Sequence, residues 1–316
     1  MRNDEGVTVA VPSYNHARFV GQTLRSVFRQ THAPARLLVI DDGSRDDSAR
    51  VIERELAACP FPCDFVAREN RGLCVTLNEA LSLTRTPYFA YLGSDDLWLP
   101  DFLRERVRLL QSRPRAVLAY GHCLIVDGEN RVVDSTSDWA SYADGDARPM
   151  LLTTVSPMSP TVVYRRAALE GEGWREDARL EDYDLYLRLS ASGEFAFDPR
   201  PLAAWRRHGS NTSRDQRMML DEHLAAQRRV LPLQGFDEAD IGRFAARVSF
   251  ARAEDFLRLG DRRAALGLIS RNLSGAASAR HAARVLLRFL LPQSLLRRRR
   301  LARERQSAER YGRIKI

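Results

Sequence analysis

The feature that most constrains this chain is a series of four short apolar runs spaced by helical stretches. Val7–Val11 is rich in β-branched residues and stopped by Pro12; Leu37–Ile40 is stopped by Asp41-Asp42-Gly43-Ser44. Cys63–Ala67 is the third run, and Tyr88–Leu92 ends in Gly93-Ser94-Asp95-Asp96. Helical patterns fill the intervals, over about Ala17–Gln30, up to about Ala57, and over Gly72–Leu83. An apolar run with no polar alternation suits a strand covered on both faces. Strands alternating with helices of this length predict βαβ units and a parallel sheet. Three of the four runs end in polar turns rich in Asp or Gly, and open α/β sheets bind ligands at the carboxyl ends of their strands.

Beyond a helix at Pro100–Gln111 the pattern loosens. Val117–Val126 and Arg131–Asp134 read as a strand pair joined by Asp127-Gly128-Glu129-Asn130, and Thr161–Tyr164 as another strand. Leu180–Ser192 is an amphipathic helix opening on Glu181-Asp182-Tyr183-Asp184. Short strands at Phe195–Phe197 and Leu202–Trp205 lead into Arg206-Arg207-His208-Gly209. From Arg214 onward the pattern is helical, with breaks near Pro232–Gly235, Gly260-Asp261, Ser274-Gly275 and Pro292. Ala253–Leu273 has the shape of one helical hairpin, too little to mark a repeat array. A boundary near residue 213 is expected, with an α/β domain over 1–213 and a helical region over 214–316.

Charge is uneven. The chain of 316 residues carries a formal +8, yet residues 280–316 alone hold eleven Arg and one Lys against Glu304 and Glu309. The remainder has 37 basic and 39 acidic groups, so this is a slightly acidic protein with a basic tail, not a nucleic-acid binder. Cys59, Cys63, Cys74 and Cys123 show no metal-ligand doublets, which predicts reduced thiols. Asp4 and Glu5 stand where a secretory leader needs positive charge, and no apolar stretch approaches the ~20 residues of a membrane span. A cytoplasmic protein is expected.

Several residues carry possible chemistry. Asp95-Asp96 places two carboxylates side by side at a strand end, an arrangement that repels itself unless a cation is near. One or two carboxylates together with substrate phosphates hold a hard divalent ion well, although a helix N-cap explains such a pair equally simply. Asp41-Asp42-Gly43-Ser44 repeats the geometry, suited to base or ribose contacts or to a plain turn and cap. Glu181-Asp182 offers a distant carboxylate of the kind a general base requires, or only acid favoured at a helix start. His208 is a potential metal ligand, and Arg206 or Arg207 a phosphate clamp.

Taken together, Val11-Pro12-Ser13-Tyr14-Asn15, Asp41-Asp42-Gly43-Ser44, Glu69-Asn70-Arg71-Gly72, Ser94-Asp95-Asp96, Glu181–Arg188 and His208-Gly209-Ser210-Asn211 occur in one order over roughly residues 7–213. This order strongly resembles the family-2 inverting glycosyltransferases with the GT-A fold. The resemblance implies a GT-A-like α/β domain, a UDP- or dTDP-linked sugar donor and a Mg2+ or Mn2+ ion. It also implies residue roles: Pro12, Tyr14, Asp41 and Asp42 lining the base and ribose pocket, and Arg71 and Asn78 near the diphosphate or ribose. Asp95 and Asp96 stand for the acidic motif, with Asp96 the preferred metal ligand; Asp182 matches the catalytic base and His208 a residue at the metal. The acidic motif lacks the third Asp of its longer form.

The expected activity is transfer of a sugar to a hydroxyl of a glycan or lipid-linked acceptor, in cell-surface polysaccharide synthesis. The alternative is a catalytically weak binding protein of the same fold whose helical tail docks partners. No G-x-G-x-x-G follows the first strand, which disfavours a dinucleotide oxidoreductase. In the tail, Arg280, Arg284 and Arg288 lie one helical turn apart, with Val285, Leu286, Leu287, Phe289, Leu290 and Leu291 on the rest of the surface. Residues 280–305 therefore suit either the headgroup layer of an anionic membrane or packing on the 253–273 hairpin.

Overall fold

A computed structural model describes residues 5–316; Asp4, half of the acidic pair read above, lies outside them. The first half follows the expected alternation: β1 Val7–Ser13, α1 Val20–Phe28, β2 Arg36–Asp42, α2 Ser48–Leu56, β3 Cys63–Arg68, α3 Leu73–Leu83 and β4 Tyr88–Tyr91. A two-residue strand, β5 Leu97–Trp98, comes directly after the acidic turn, where no strand was expected. Then follow α4 Phe102–Ser112, β6 Ala116–Val126, β7 Val132–Ser135, α5 Arg148–Leu151, β8 Val163–Arg165, α6 Arg166–Leu169, α7 Glu181–Ser192 and β9 Glu194–Arg206. The two short strands expected at 195–197 and 202–205 are one strand, β9, because both halves pair with β6 across an irregular register.

The sheet runs β3-β2-β1-β4-β8-β6-β9-β5, with β7 on the other side of β6. Strands β1 to β4 pair in parallel, and β8 joins them antiparallel to both β4 and β6. Alternation along the strands sorts the core into two layers. Val7, Val9 and Val11 meet Val20 and Leu24 of α1 and Phe102 of α4, while Ala10, Leu38 and Phe89 face Leu77 of α3 and Leu185 of α7. Every residue of β1 is buried, as its unbroken apolar pattern requires.

The helical region comprises α8 Gln216–Val230, α9 Glu238–Leu259, α10 Arg262–Arg271, α11 Ala279–Leu290 and α12 Gln293–Tyr311. α9 and α10 form the expected hairpin, broken at Gly260, whose left-handed φ of 90° ends the first helix. The region shares the core of the α/β half: Ala226, Val230, Leu231 and Ile241 belong to the same cluster as Leu185 and Tyr186. Arg229 pairs with the fully buried Asp184 of α7 at 2.8 Å. All four cysteines are free. No helix among the described residues is long and apolar enough to cross a membrane.

In the tail, Arg284 and Arg288 turn inward to Glu254 of α9, and Val285 is buried there. Leu286, Leu287 and Leu290 of α11 face outward, 43%, 59% and 73% exposed. Of the arginine stripe, only Arg288 is sheltered against α9, while Arg280 and Arg284 stay exposed beside the leucines.

Candidate active site

The loops after β1, β2 and β4 meet at one edge of the sheet. Asn15, in the left-handed conformation at φ 55°, donates its backbone N–H to Ser44 Oγ (2.8 Å) and accepts Arg45 N–H at Oδ1 (2.8 Å). An Asn tolerates that conformation, which most residues avoid. The turn carries His16 onward; its N–H bonds Ser48 Oγ (2.9 Å) and its Nδ1 lies 2.8 Å from Ser94 Oγ. The imidazole is thereby brought over the acidic turn at the end of β4.

His208 arrives from the far side, at the end of β9. Its Nε2 lies 2.8 Å from Asp95 Oδ2, and Nδ1 of His16 lies 3.8 Å from Asp95 Oδ1. The two imidazoles stand nearly perpendicular, with centroids 5.5 Å apart, and Phe19 packs against the His208 ring at 4.8 Å. One ligand atom each from His16, Asp95 and His208 lies within 4.8 Å of the others, a group able to hold a metal ion after a small contraction. Burial lowers the His16 pKa, against an opposing pull from Asp95, and favours the neutral ligating form. For Asp95, burial pushes upward but is overcome by the His208 hydrogen bond and the His16 charge, which hold the carboxyl below its ordinary value.

Asp96 is placed differently from the expectation that made it the preferred ligand. Its Oδ1 accepts the backbone N–H of Arg206 (2.8 Å), and it lies outside the His16–Asp95–His208 group. Burial, and then the neighbouring Asp95 charge, push its pKa well up. Gly93 is what lets both carboxylates turn back together: an added Cβ would lie 3.0 Å from Asp95 Oδ1 and 3.3 Å from Asp96 Oδ2. Arg206, fully buried, donates Nε to the Asp95 carbonyl (2.6 Å), and its guanidinium also binds Asn130. Neither Arg206 nor Arg207 is a free phosphate clamp, since Arg207 pairs with Glu304 at 2.7 Å.

The first acidic turn is closed on itself. Asp41 accepts Ser44 N–H (2.9 Å) and Ser44 Oγ–H (2.6 Å). Asp42 accepts the N–H groups of Arg71 (2.9 Å) and Gly72 (2.8 Å) and binds the Arg68 guanidinium. Gly43, at φ 77°, is needed for a close approach within the protein: a Cβ there would sit 2.7 Å from Asn70 N. Pro12 is buried in β1, Tyr14 is exposed at the rim, and the Arg71 side chain is also exposed. Asn78 clamps the backbone of Trp174, accepting its N–H and donating to its carbonyl at 2.8 Å each.

Glu181 and Asp182 open α7, both half-buried. Burial pushes Asp182 up to about 6, while burial and then the Asp182 charge push Glu181 up to about 8. Both charges raise the pKa of buried Tyr91, the last residue of β4, after the larger effect of its own burial. A carboxylate with a pKa near 6 is well matched to accepting a proton near neutrality.

Sequence reasoning missed His16, although it directly follows the Tyr14-Asn15 motif, and a polar turn after a first strand is a place to look for ligands. It also missed Arg68, and it read Arg206 as a phosphate clamp rather than as the residue that ties Asp95 and Asp96 to Asn130; their partners lie 26 and more than 70 residues away and leave no local pattern.

The sequence profile of glycosyl transferase family 2 matches residues 8–171, more than half of the chain. An uncharacterized glycosyltransferase of Nostoc sp. is 28% identical over 168 residues, covering 52% of each chain. Chondroitin synthase of Escherichia coli is 27% identical over 208 residues, covering 66% of this chain and 30% of that protein. The chain thus spans about half or less of the length of these two curated relatives. Among solved structures, S. aureus TarS 1–349 in complex with UDP-GlcNAc aligns over 98% of this chain and 93% of that one, with TM-score 0.61 and 17% identity. The mannosyltransferase PcManGT from Pyrobaculum calidifontis, in complex with GDP-Man and Mn2+, aligns over 96% and 86%, with TM-score 0.60 and 18% identity. At such identity these likenesses speak to the fold, which is GT-A-like, and the profile match settles the kinship: the chain belongs to glycosyl transferase family 2.

Proposed function

We propose that the protein is an inverting glycosyltransferase that moves a sugar from a UDP- or dTDP-sugar to a hydroxyl of a glycan or lipid-linked acceptor in cell-surface polysaccharide synthesis. One observation carries the reading. An acidic turn at the end of β4 brings one ligand atom each of His16, Asp95 and His208 within 4.8 Å of the others, and a half-buried acidic pair, Glu181-Asp182, opens α7. The first supplies donors for an ion facing a diphosphate; the second supplies a proton acceptor.

In the reaction, the acceptor oxygen bonds to the anomeric carbon as the bond from that carbon to the diphosphate oxygen breaks. The electron pair leaves with the nucleoside diphosphate, and the acceptor proton passes to the Asp182 carboxylate. A divalent ion held by His16, Asp95 and His208 would supply positive charge against the diphosphate. Two nitrogen donors and one carboxylate favour Mn2+ over Mg2+, which prefers oxygen shells. Tyr14 and Arg71, both exposed, would meet the nucleotide beside the first acidic turn, with Pro12, Asp41, Asp42 and Asn78 as supports behind them.

Incubation with a panel of nucleotide sugars and Mn2+, with nucleoside diphosphate release measured, tests this. Turnover with at least one donor is expected; binding of donors without release of diphosphate in the presence of glycan acceptors would favour the binding-protein alternative.

The same reading places the enzyme in the cytoplasm, against the inner membrane face, with the contact made by Leu286, Leu287 and Leu290 and by exposed Arg297, Arg298 and Arg299. Each basic group near an anionic surface contributes about 1 kcal/mol before screening. Flotation with anionic liposomes is expected to carry the wild type and not Leu287→Glu/Leu290→Glu; equal recovery of both would remove the membrane from the account.

A further inference from the structure

The last residues of the chain return to the transferase sheet beside the site. α12 lies along β7, and past its end Gly312 accepts the Val132 N–H (3.0 Å) while the Ile314 N–H reaches the Asn130 carbonyl (3.0 Å). Arg131 and Arg313 thereby form an antiparallel bridge. Tyr311, Ile314 and Ile316 pack against Leu97, Leu124, Val126, Val132 and Ala204.

Two paths lead from this segment to the candidate ligands. The Asn130 side chain binds the Arg206 guanidinium, and Arg206 in turn holds both Asp95 and Asp96 through the bonds described above. Glu304 of α12 pairs with Arg207, the residue immediately before His208, and with Arg300 at 3.0 Å. Both members of the Glu304–Arg207 pair are partly sheltered, with 21% and 34% of their side chains exposed. Groups that bind and orient metal ligands tune the site nearly as strongly as the ligands do. Left unpaired, Arg207 would also place a free positive charge one residue from an imidazole meant to hold a cation.

We infer that residues 304–316 are a latch that keeps the His208 loop and the Asp95-Asp96 turn in ligating register, with Glu304 as a positioning residue. The latch is a property of the fold; its effect on ion affinity rests on the metal reading proposed above.

Two readouts separate these levels: hydrogen exchange at amides 206–211, and Mn2+ binding followed by electron paramagnetic resonance. In the full chain, Glu304→Gln is expected to speed exchange at 206–211 about tenfold while amides of β1 and β2 stay unchanged. It is also expected to weaken Mn2+ binding about fivefold. Combining Glu304→Arg with Arg207→Glu should restore both, which a purely stabilising contact elsewhere in α12 would not produce. Unchanged exchange at 206–211 in Glu304→Gln overturns the latch. Faster exchange with unchanged Mn2+ affinity overturns the assignment of Glu304 as a positioning residue. If the wild type binds no Mn2+, the metal reading falls and exchange alone decides the latch.

Discussion

The two acidic turns of the sheet, Asp41-Asp42-Gly43-Ser44 and Gly93-Ser94-Asp95-Asp96, look alike as strings and differ in what their carboxylates have left to do. In the first, Asp41 is consumed by Ser44, and Asp42 by two backbone N–H groups and Arg68. In the second, two carboxylates converge over Gly93, one facing two imidazoles and the other raised in pKa by burial and by its neighbour. A carboxylate whose hydrogen bonds are complete holds the fold together. A pair that remains electrostatically unsettled is one a cation can relieve. An acidic strand end is therefore informative only once its partners are counted.

The largest effect tests the remote carboxylate that completes the second turn's chemistry. Asp182→Asn is expected to lower kcat by about a hundred- to ten-thousand-fold, with donor affinity by calorimetry unchanged, since only the proton acceptor is lost. Near wild-type turnover would move the role to Glu181.

Next comes the direct contrast between turns. Asp42→Ala leaves the largely buried Arg68 without its nearer carboxylate and should cost about 3 kcal/mol in chemical denaturation. Asp95→Ala should leave stability nearly unchanged or raised and abolish Mn2+ binding. The comparison breaks if the two variants exchange phenotypes.

The glycines sharpen it further. Gly43→Ala combines a left-handed φ with a backbone clash against Asn70 and should cost about 1–3 kcal/mol of stability. Gly93→Ala meets only side-chain oxygens of Asp95 and Asp96, which can swing aside. It should spare the melting temperature and weaken the ion.

The smallest effect is in pH. The Asp182 carboxyl must be ionised to accept a proton, and its pKa stands at about 6. Below that value kcat/KM should fall about tenfold per unit, and it should be flat from there towards neutrality. A profile still flat at pH 5 would place the base elsewhere. Glu181, raised to about 8, keeps its proton in the folded state where the unfolded chain has lost it. Stability should consequently decline as pH rises from about 4.5 to 8, and Glu181→Gln should leave only the part below about 6 that the raised Asp182 contributes.

Much of this molecule follows from local pattern. The unbroken apolar runs at Val7–Val11 and Leu37–Ile40 can be satisfied only by a sheet covered on both faces, so the βαβ half was legible from periodicity alone. The ordered motifs led to the Asp95-Asp96 turn, His208 and Asp182, with Asp96 preferred over Asp95 as the ligand. What periodicity does not carry is the direction of a side chain once distant elements meet. His16 reaches Asp95 across 79 positions of sequence because Ser48 and Ser94 hold it there. Asp42 turns inward because Arg68 awaits it. Arg288 is held by Glu254 and Val285 is buried under α11, while Leu287 and Leu290 are left outside, a division of the apolar residues that the helical stripe did not give. Secondary structure is a property of neighbours in the chain and can be read from them. The state of a charge depends on which groups tertiary packing brings within a few ångströms, and that was decided only when the chain closed on itself.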